Sequence, residues 1–312
     1  MFKTDKFIVE SKCDGLSLHG FYIAPENPKA VLQLVHGMAE YKERYTDFME
    51  YMAEQGYACF IHDHRGHGES VKGAEKLGYF GENGSNSIVE DVHQISRLAK
   101  EKFPKIPFFL FGHSMGSLVV RNYVKKYDNE IDGLIVCGSP SDNPASGVGL
   151  TLCRTMQKIH GDDYRSKLVN DLMFGSYDKK FPDETEPNCW VVSNKEELRK
   201  YNESPLCGFT FTLNGFISLI KLVQGAYSSD GWEIKKADLP IQFISGKDDP
   251  CNMGEKKFGQ AVQHMKNVGY KNVDSRLFEG MRHEILNETD RQTVYEFIKK
   301  TLDIWCDGAA VR

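Results

Sequence analysis

The sequence has no uninterrupted apolar stretch long enough to span a bilayer. Its first six residues are largely polar and lack the apolar centre of a secretory signal. The net charge of −5, from 39 basic and 44 acidic residues, is small, and no basic stripe is present. We therefore expect a cytoplasmic protein with no integral membrane segment and no nucleic-acid partner.

The cysteines also lack a recognisable pattern, because no C-x-x-C pair occurs among the eight. Without a secretory signal, reduced thiols are expected rather than disulfides. Several of the cysteines, such as Cys59 and Cys137, stand in apolar runs typical of buried free thiols. The cysteines therefore predict neither a disulfide framework nor a metal cluster.

Short apolar runs alternate with helical patterns along most of the chain, after an initial hairpin that turns at residues 13–15. Such alternation predicts an α/β fold with a mostly parallel sheet and helices on both faces. The strands are expected at Ala30–Val35, Tyr57–His62, Pro107–Phe111, Leu134–Cys137, Ile241–Ser245 and Val273–Phe278. The helices are expected at Arg44–Gln55, Ile88–Phe103, Leu118–Tyr127, Lys256–Val268 and Asp290–Trp305.

One long segment interrupts this alternation. Between Ser141 and Lys236 no strand–helix unit appears, although helical patterns do. A loop of that length would be exceptional, so we expect an inserted helical cap at 141–236 and a core formed by 1–140 and 237–312. Because the insertion follows a strand of the sheet, the cap should overhang the carboxyl edge, where open α/β sheets bind ligands.

Residues 112–116 read Gly-His-Ser-Met-Gly, between an apolar strand pattern and a helical pattern. A G-x-S-x-G sequence at a strand-to-helix turn is typical of a nucleophile elbow. The flanking glycines would avoid side-chain clashes in this tight turn and leave the Ser114 hydroxyl exposed. Ser114 is therefore the candidate nucleophile.

A nucleophilic serine needs a base and a carboxylate that orients the base. After Ser114, two strands end in loops that carry these groups: Asp248 and Asp249 follow one, and His283 follows the last. His283 is the candidate base. Neighbouring side chains on an extended loop point in opposite directions, so one aspartate can face His283 while the other caps the following helix.

The oxyanion of such a reaction needs two backbone N–H donors. Met115 follows the nucleophile at a helix N-terminus and is the first candidate. Met38, beyond Gly37 in the loop after an early strand, is the second. The histidine-rich stretch 62–67 resembles a metal motif but lacks its aspartate, because Gly66 stands there. We interpret Asp63–Ser70 as a turn and expect no metal.

Four motifs together resemble those of the monoacylglycerol lipase and lysophospholipase branch of the α/β-hydrolases, which is also termed serine aminopeptidase S33. They are His-Gly-Met-Ala-Glu at 36–40 with Arg44 and Tyr45, Asp-His-Arg-Gly-His-Gly-Glu-Ser at 63–70, the elbow at 112–116, and Arg-His-Glu at 282–284. They run in order from about residue 20 to 300, so the resemblance covers nearly the whole core. The cap matches nothing we can name.

The resemblance implies Ser114 as nucleophile, His283 as base, and Met38 and Met115 as oxyanion donors. The family's acid stands three residues after a strand-end glycine, and from Gly246 this position is Asp249. Glu40 and Arg44 match a polar pair that helps to shape the pocket near the substrate's polar end. A solvated salt bridge or a helix cap is the alternative interpretation of that pair.

The function implied is a serine carboxylester hydrolase without cofactor, acting on a small-molecule ester with a single acyl chain, such as a monoacylglycerol or a lysophospholipid. The cap is rich in aromatic residues and could also contact lipid transiently. The alternative is an aminopeptidase that resembles proline iminopeptidases. The oxyanion loop of that branch reads H-G-G-P-G, whereas residues 36–40 here read His-Gly-Met-Ala-Glu. A non-catalytic binding protein is a third hypothesis, but such proteins usually lose a member of the triad.

Overall fold

The computed structural model describes residues 2–310 except 72, 74 and 75. Positions 1, 72, 74, 75, 311 and 312 of the predicted core segments lie outside the described residues. The strands are β1 (Phe2–Glu10), β2 (Ser17–Pro25), β3 (Ala30–Val35), β4 (Tyr57–His62), β5 (Phe108–His113), β6 (Gly133–Cys137), β7 (Ile241–Gly246) and β8 (Val273–Phe278). The helices are α1 (Thr46–Glu54), α2 (Gly84–Lys102), α3 (Met115–Tyr127), α4 (Ser146–His160), α5 (Lys167–Phe174), α6 (Lys195–Glu203), α7 (Leu213–Tyr227), α8 (Glu255–Asn267) and α9 (Arg291–Ala310).

The eight strands form one sheet in the order β1-β2-β4-β3-β5-β6-β7-β8. β1 pairs with β2, and β2 with β4, in antiparallel fashion, while the remaining neighbours are parallel. The predicted mostly parallel α/β architecture is confirmed. Strands β3 to β7 are buried along their whole length, because helices cover both faces of the sheet.

Each face of the sheet has its own apolar core. Leu110 of β5 packs into the core shared with α2, α3, α7 and α8, whereas Phe109 and Phe111 face the core shared with α1 and α9. This alternation along β5 follows from the two-residue period of a strand. Burial on both faces explains why these strands read as nearly continuous apolar runs.

The register of the parallel strands brings their carboxyl ends to one edge. Val35 of β3 is paired with Gly112 of β5, and His113 is paired with Cys137 of β6. The loops that leave β3, β5, β7 and β8 therefore start close together, and these loops carry the candidate site residues. Among the described residues, no helix is long and apolar enough to cross a membrane.

Candidate active site

Ser114 lies at the sharp turn between β5 and α3, with a φ of 52° that L residues rarely adopt. The turn needs the two flanking glycines. A Cβ on Gly112 would lie 2.4 Å from the Gly116 carbonyl oxygen, and a Cβ on Gly116 would lie 2.0 Å from that of Val35. The two glycines therefore permit the strained turn that places Ser114 at the N-terminus of α3, beside the loop that leaves β3.

The structure places Asp249 against His283, with 2.9 Å between Asp249 Oδ2 and His283 Nδ1. The same oxygen accepts a hydrogen bond from Ser245, and Oδ1 accepts one from the Cys251 amide. Burial alone would raise the pKa of Asp249, but the His283 ring and these donors hold it below its usual value. The carboxylate is thus oriented by several bonds.

Asp248 is exposed, whereas Asp249 is buried. The expectation that the second aspartate caps the following helix is wrong, because Asp249 itself caps the short helical turn Pro250–Asn252. One buried carboxylate serves both purposes because its two oxygens point to different donors. The adjacent pair in the sequence is therefore divided into one buried and one solvated side chain.

Met38 and Met115 line the same cavity as Ser114 and His283. The Gly37 carbonyl, which shares a peptide plane with the Met38 amide, lies 2.8 Å from Nδ1 of His36. This contact fixes the direction of the Met38 N–H, because the carbonyl and the N–H of a trans peptide point in opposite directions. A Cβ on Gly37 would approach the Ser114 Cβ to 3.1 Å, so this loop lies directly against the nucleophile's turn.

Glu40 and Arg44 form a buried ion pair of 3.0 Å. The alternative of a solvated salt bridge is therefore wrong. Arg44 also binds both carboxylate oxygens of Glu284 at 2.5 and 2.6 Å, a bidentate geometry. Burial would raise the pKa of Glu40, but His113 and Arg44 lower it well below its usual range. Both carboxylates border the cavity beside Ser114.

Two residues of the site, His113 and Glu284, were assigned no role from the sequence. His113 Nδ1 lies 3.2 Å from Glu40 Oε1, and its Nε2 lies 3.3 Å from the His283 carbonyl oxygen. Burial opposes charging of the ring, yet Glu40 raises the pKa of His113 overall. His113 occupies a variable position of the elbow motif and Glu284 an unassigned position beside His283, so only the tertiary structure shows their partners.

The stretch that resembles a metal motif forms a turn stabilised by Asp63. The Asp63 carboxylate accepts hydrogen bonds from the Lys42 amide and ammonium and from the Glu69 amide. Gly68 has a φ of 47°, and a Cβ there would collide with this carboxylate at 2.2 Å. Burial lowers the pKa of His62 to about 3 and that of His67 to about 4, so both rings are neutral.

The proposed nucleophile, base and oxyanion donors border a cavity of about 430 Å³ whose walls are mainly apolar. Five aromatic side chains of segment 141–236 line it, namely Phe174, Tyr177, Trp190, Tyr201 and Phe209. The Trp190 ring lies 5.1 Å from that of His283. The other aromatics pack elsewhere, with Phe211 and Phe216 fully buried in the core. The aromatic residues of this segment are therefore divided between the cavity wall and the apolar core.

A parallel sheet with a strained serine at a strand-to-helix turn, an aspartate–histidine pair on later loops and a long insertion defines an α/β-hydrolase. The family model described as serine aminopeptidase, S33, matches residues 26–290. The chain belongs to this family. The resemblance inferred from the four motifs is therefore confirmed.

Known relatives agree with this assignment. A monoglyceride lipase homolog of Monkeypox virus is 25% identical over 283 residues, which cover 89% of each chain. Monoglyceride lipase of Saccharomyces cerevisiae is 26% identical over 292 residues, which cover 86% of this chain and 83% of the yeast protein. The structure of a carboxyl esterase from Bacillus coagulans superposes with a TM-score of 0.90 at 23% identity, over 97% of this chain and 99% of the esterase.

The two adjacent aspartates offer a matched test of the triad acid. We expect Asp249→Asn to lower kcat for p-nitrophenyl butyrate by about 10⁴-fold, because the amide cannot stabilise the charged imidazole. Asp248→Asn should leave kcat within about twofold, since exposed substitutions rarely matter. Equal effects of the two substitutions would show that Asp249 is not the acid.

Glu40 provides a test through the pH dependence of stability. The pKa of Glu40 in the folded protein lies below the ordinary value of 4.5. The charged Glu40 therefore contributes fully to the free energy of unfolding above pH 4.5, and this contribution is lost as the pH falls further. We expect Glu40→Gln to lower the free energy of unfolding at pH 7 by about 3 kcal/mol, because Arg44 loses a buried partner.

Urea unfolding between pH 7 and pH 3 measures this contribution. The difference in free energy of unfolding between wild type and Glu40→Gln should become smaller below pH 4.5. Glu43→Gln is the control, because Glu43 lies in the same segment with its side chain 44% exposed. A difference that does not change with pH would contradict the assignment of Glu40 as a charged, buried partner.

Proposed function

We propose that this protein is a serine carboxylester hydrolase that cleaves monoacylglycerols and similar esters with one acyl chain. Ser114 attacks the acyl carbonyl while His283 accepts its proton, and the Met38 and Met115 amides donate to the oxyanion. His283 then protonates the leaving alcohol and activates water for deacylation. The observation that carries the proposal is the buried Asp249–His283 pair, whose histidine borders an apolar cavity together with Ser114.

The cavity supports a single acyl chain as the substrate's apolar part. Its volume of about 430 Å³ lies at the lower end of small-molecule pockets, and its walls include Val148, Leu152, Leu172, Leu219 and Ile220. Each methylene group of an acyl chain that is buried against such apolar walls contributes about 0.8 kcal/mol to the binding free energy. A peptide substrate would gain little from such walls.

The charges beside Ser114 support a neutral head group. Two carboxylates, Glu40 and Glu284, border this part of the cavity, and Arg44 is ion-paired with both. A phosphate would add negative charge beside two carboxylates that share the guanidinium of Arg44, and like charges at close range disfavour binding. A glycerol head group carries no charge and avoids this repulsion. The proposal therefore favours monoacylglycerol over anionic lysophospholipids.

The aminopeptidase alternative needs a carboxylate that is free to bind an α-amino group. Both carboxylates of the cavity are engaged by Arg44. In the cap, Glu184 pairs with Lys195 and Arg282, and Glu196 and Glu197 pair with Lys200. These pairings favour the ester hydrolase. The binding-protein hypothesis is disfavoured because all three triad positions carry functional side chains.

We also propose that 141–236 acts as a cap on a core formed by 1–140 and 237–312. Helices α4 to α7 lie between β6 and β7, and a small apolar cluster in this segment includes Val192, Leu198 and Tyr201. The stretch 189–193 is bonded to both sides of His283. The Val191 carbonyl accepts from the Glu284 amide at 2.8 Å, and the Cys189 carbonyl accepts from Arg282 at 2.6 Å.

The outer side of α4 and α5 supports transient contact with lipid. Val148, Ile159, Leu168 and Leu172 are 55–74% exposed, which is unusual for large apolar side chains clustered on two helices. Val148 and Leu172 also border the cavity, so the exposed rim is continuous with its apolar walls. An acyl chain could leave a lipid surface along this rim without crossing water.

The function is tested with p-nitrophenyl esters from acetate to palmitate, alongside proline and leucine p-nitroanilides. We expect turnover of the esters only, an optimum at medium or long chains, and complete loss in Ser114→Ala. Oleoylglycerol should be cleaved at least about tenfold faster than oleoyl lysophosphatidate, because of the repulsion described above. Faster cleavage of anilides would establish the aminopeptidase, and binding of monoacylglycerol without turnover would establish a binding protein.

The exposed side of α4 and α5 is tested by Ile159→Ser and Leu168→Ser together, because these two side chains are exposed and do not line the cavity. We expect weaker sedimentation with phosphatidylcholine vesicles and slower hydrolysis of vesicle-borne oleoylglycerol, because each serine removes exposed apolar surface. Hydrolysis of water-soluble p-nitrophenyl butyrate should change less than about threefold. The matched control is Lys221→Ser on α7. Unchanged vesicle binding by the double variant would contradict the lipid contact.

A further inference from the structure

Ala39, directly after the proposed oxyanion donor Met38, has a φ of 49°. Non-glycine residues persist in this left-handed region only when their surroundings hold them there. Two hydrogen bonds do so. The Ala39 amide donates to His67 Nε2 at 3.2 Å, and the Ala39 carbonyl accepts from the Gly208 amide at 2.9 Å.

The His67 ring is in the correct tautomer to accept this hydrogen bond. Its Nδ1 lies 3.1 Å from the Arg65 carbonyl oxygen, which can only accept, so Nδ1 carries the proton and Nε2 is a free acceptor. The ring is fully buried, and Phe80, Phe209 and Phe211 surround it at centroid distances of 5.4–5.6 Å. The depressed pKa of His67 keeps it neutral at neutral pH.

The backbone next to His67 is itself fixed. Arg65 is 1% exposed and forms an ion pair of 2.8 Å with the buried carboxylate of Asp91 on α2. Its guanidinium also donates to the Phe80 carbonyl at 2.9 Å. The histidine is therefore a rigid acceptor supported by the core rather than a side chain that follows the loop.

Three consecutive peptide planes of the oxyanion loop are each held by one side chain. Glu40 accepts from the Gly37 amide at 2.6 Å, and His36 contacts the Gly37 carbonyl of the plane that carries the Met38 N–H. His67 holds the next plane through the Ala39 amide. The peptide plane of the Met38 amide thus lies between two others that are fixed by Glu40 and His67. The hydrogen bond to His67 is the one that keeps Ala39 in its strained conformation on the side of Met38.

We propose that His67 is a positioning residue for the oxyanion hole, holding Ala39 in its strained conformation and thereby aiming the Met38 amide at the reacting carbonyl. The proposal rests on the proposed function, since it assigns a task within the same reaction. It gives the third histidine of the 62–67 stretch a role in transition-state stabilisation. His67 itself does not touch the substrate.

The test compares His67→Leu, His67→Gln and His67→Asn. Gln places an amide oxygen where Nε2 stands and can accept from Ala39, whereas Asn reaches only the Nδ1 position and Leu has no acceptor. We expect Leu and Asn to lower kcat for p-nitrophenyl butyrate by about tenfold to a hundredfold with KM little changed. Gln should restore most of the loss.

The control is His62→Leu, because His62 is equally buried and both of its ring nitrogens lack partners among the described residues. We expect its kcat to stay within about threefold of wild type. A trifluoromethyl ketone, which forms an oxyanion on Ser114, should lose affinity in parallel with kcat, while a long-chain alcohol that binds without an oxyanion should not.

The proposal is overturned if the Leu and Asn variants match His62→Leu in kcat, or if both inhibitors weaken equally. Should His67→Leu fail to fold, the Gln and Asn pair decides the question, because both are polar and differ only in reach. Failure of the proposed function is recognised separately. In that case the wild-type protein would neither hydrolyse the esters nor bind the ketone through Ser114. Both activities would then be absent whichever residue stands at position 67.

Discussion

The carboxylate of Glu40 is the interaction on which the site depends. One oxygen accepts from the Gly37 amide of the oxyanion loop and approaches His113, which immediately precedes Ser114. The other oxygen binds Arg44, which in turn holds Glu284, the neighbour of His283. A single buried charge therefore connects the three loops that carry the proposed nucleophile, base and oxyanion donor. Such a network is stable only when every member is paired.

The sheet makes this connection possible. Parallel strands end at a common edge, and the pairing of Val35 with Gly112 sets the oxyanion loop beside the elbow. The absence of side chains at Gly112 and Gly116 then lets the first turn of α3 approach the end of β3. The strain at Ser114 and Ala39 is tolerated because buried strands and hydrogen bonds oppose relaxation on both sides.

Much of the fold could be predicted from the sequence, because the strands are buried on both faces and read as apolar runs. The bounds of β3, β4 and β8 agree with the predicted ranges, and the elbow lies where its glycines indicate. Helix ends were less accurate. For example, α2 begins at Gly84, four residues before the predicted start, since its first turn carries few apolar residues.

The site could be predicted less completely. Local sequence left Asp248 and Asp249 equivalent, and the family's spacing favoured the one that the structure buries. The roles of His113, Glu284 and His67 depend on contacts between residues 28 to 240 positions apart, which no local pattern records. Glu40 and Arg44 were identified as a pair, but their burial follows from the packing of Tyr45 and Tyr201 around them.

The bonds between 189–193 and the loop of His283 have a mechanical consequence. Moving this part of the insertion away from the core would break the Glu284–Val191 and Arg282–Cys189 hydrogen bonds on either side of the imidazole. The loop that positions His283 would then lose two of its supports. Helices α4 and α5 instead carry the exposed apolar side chains of Val148 and Leu172 at the border of the cavity. The 189–193 stretch therefore has to stay in place during turnover, and an opening of the cavity beside α4 and α5 would leave these hydrogen bonds and the imidazole undisturbed.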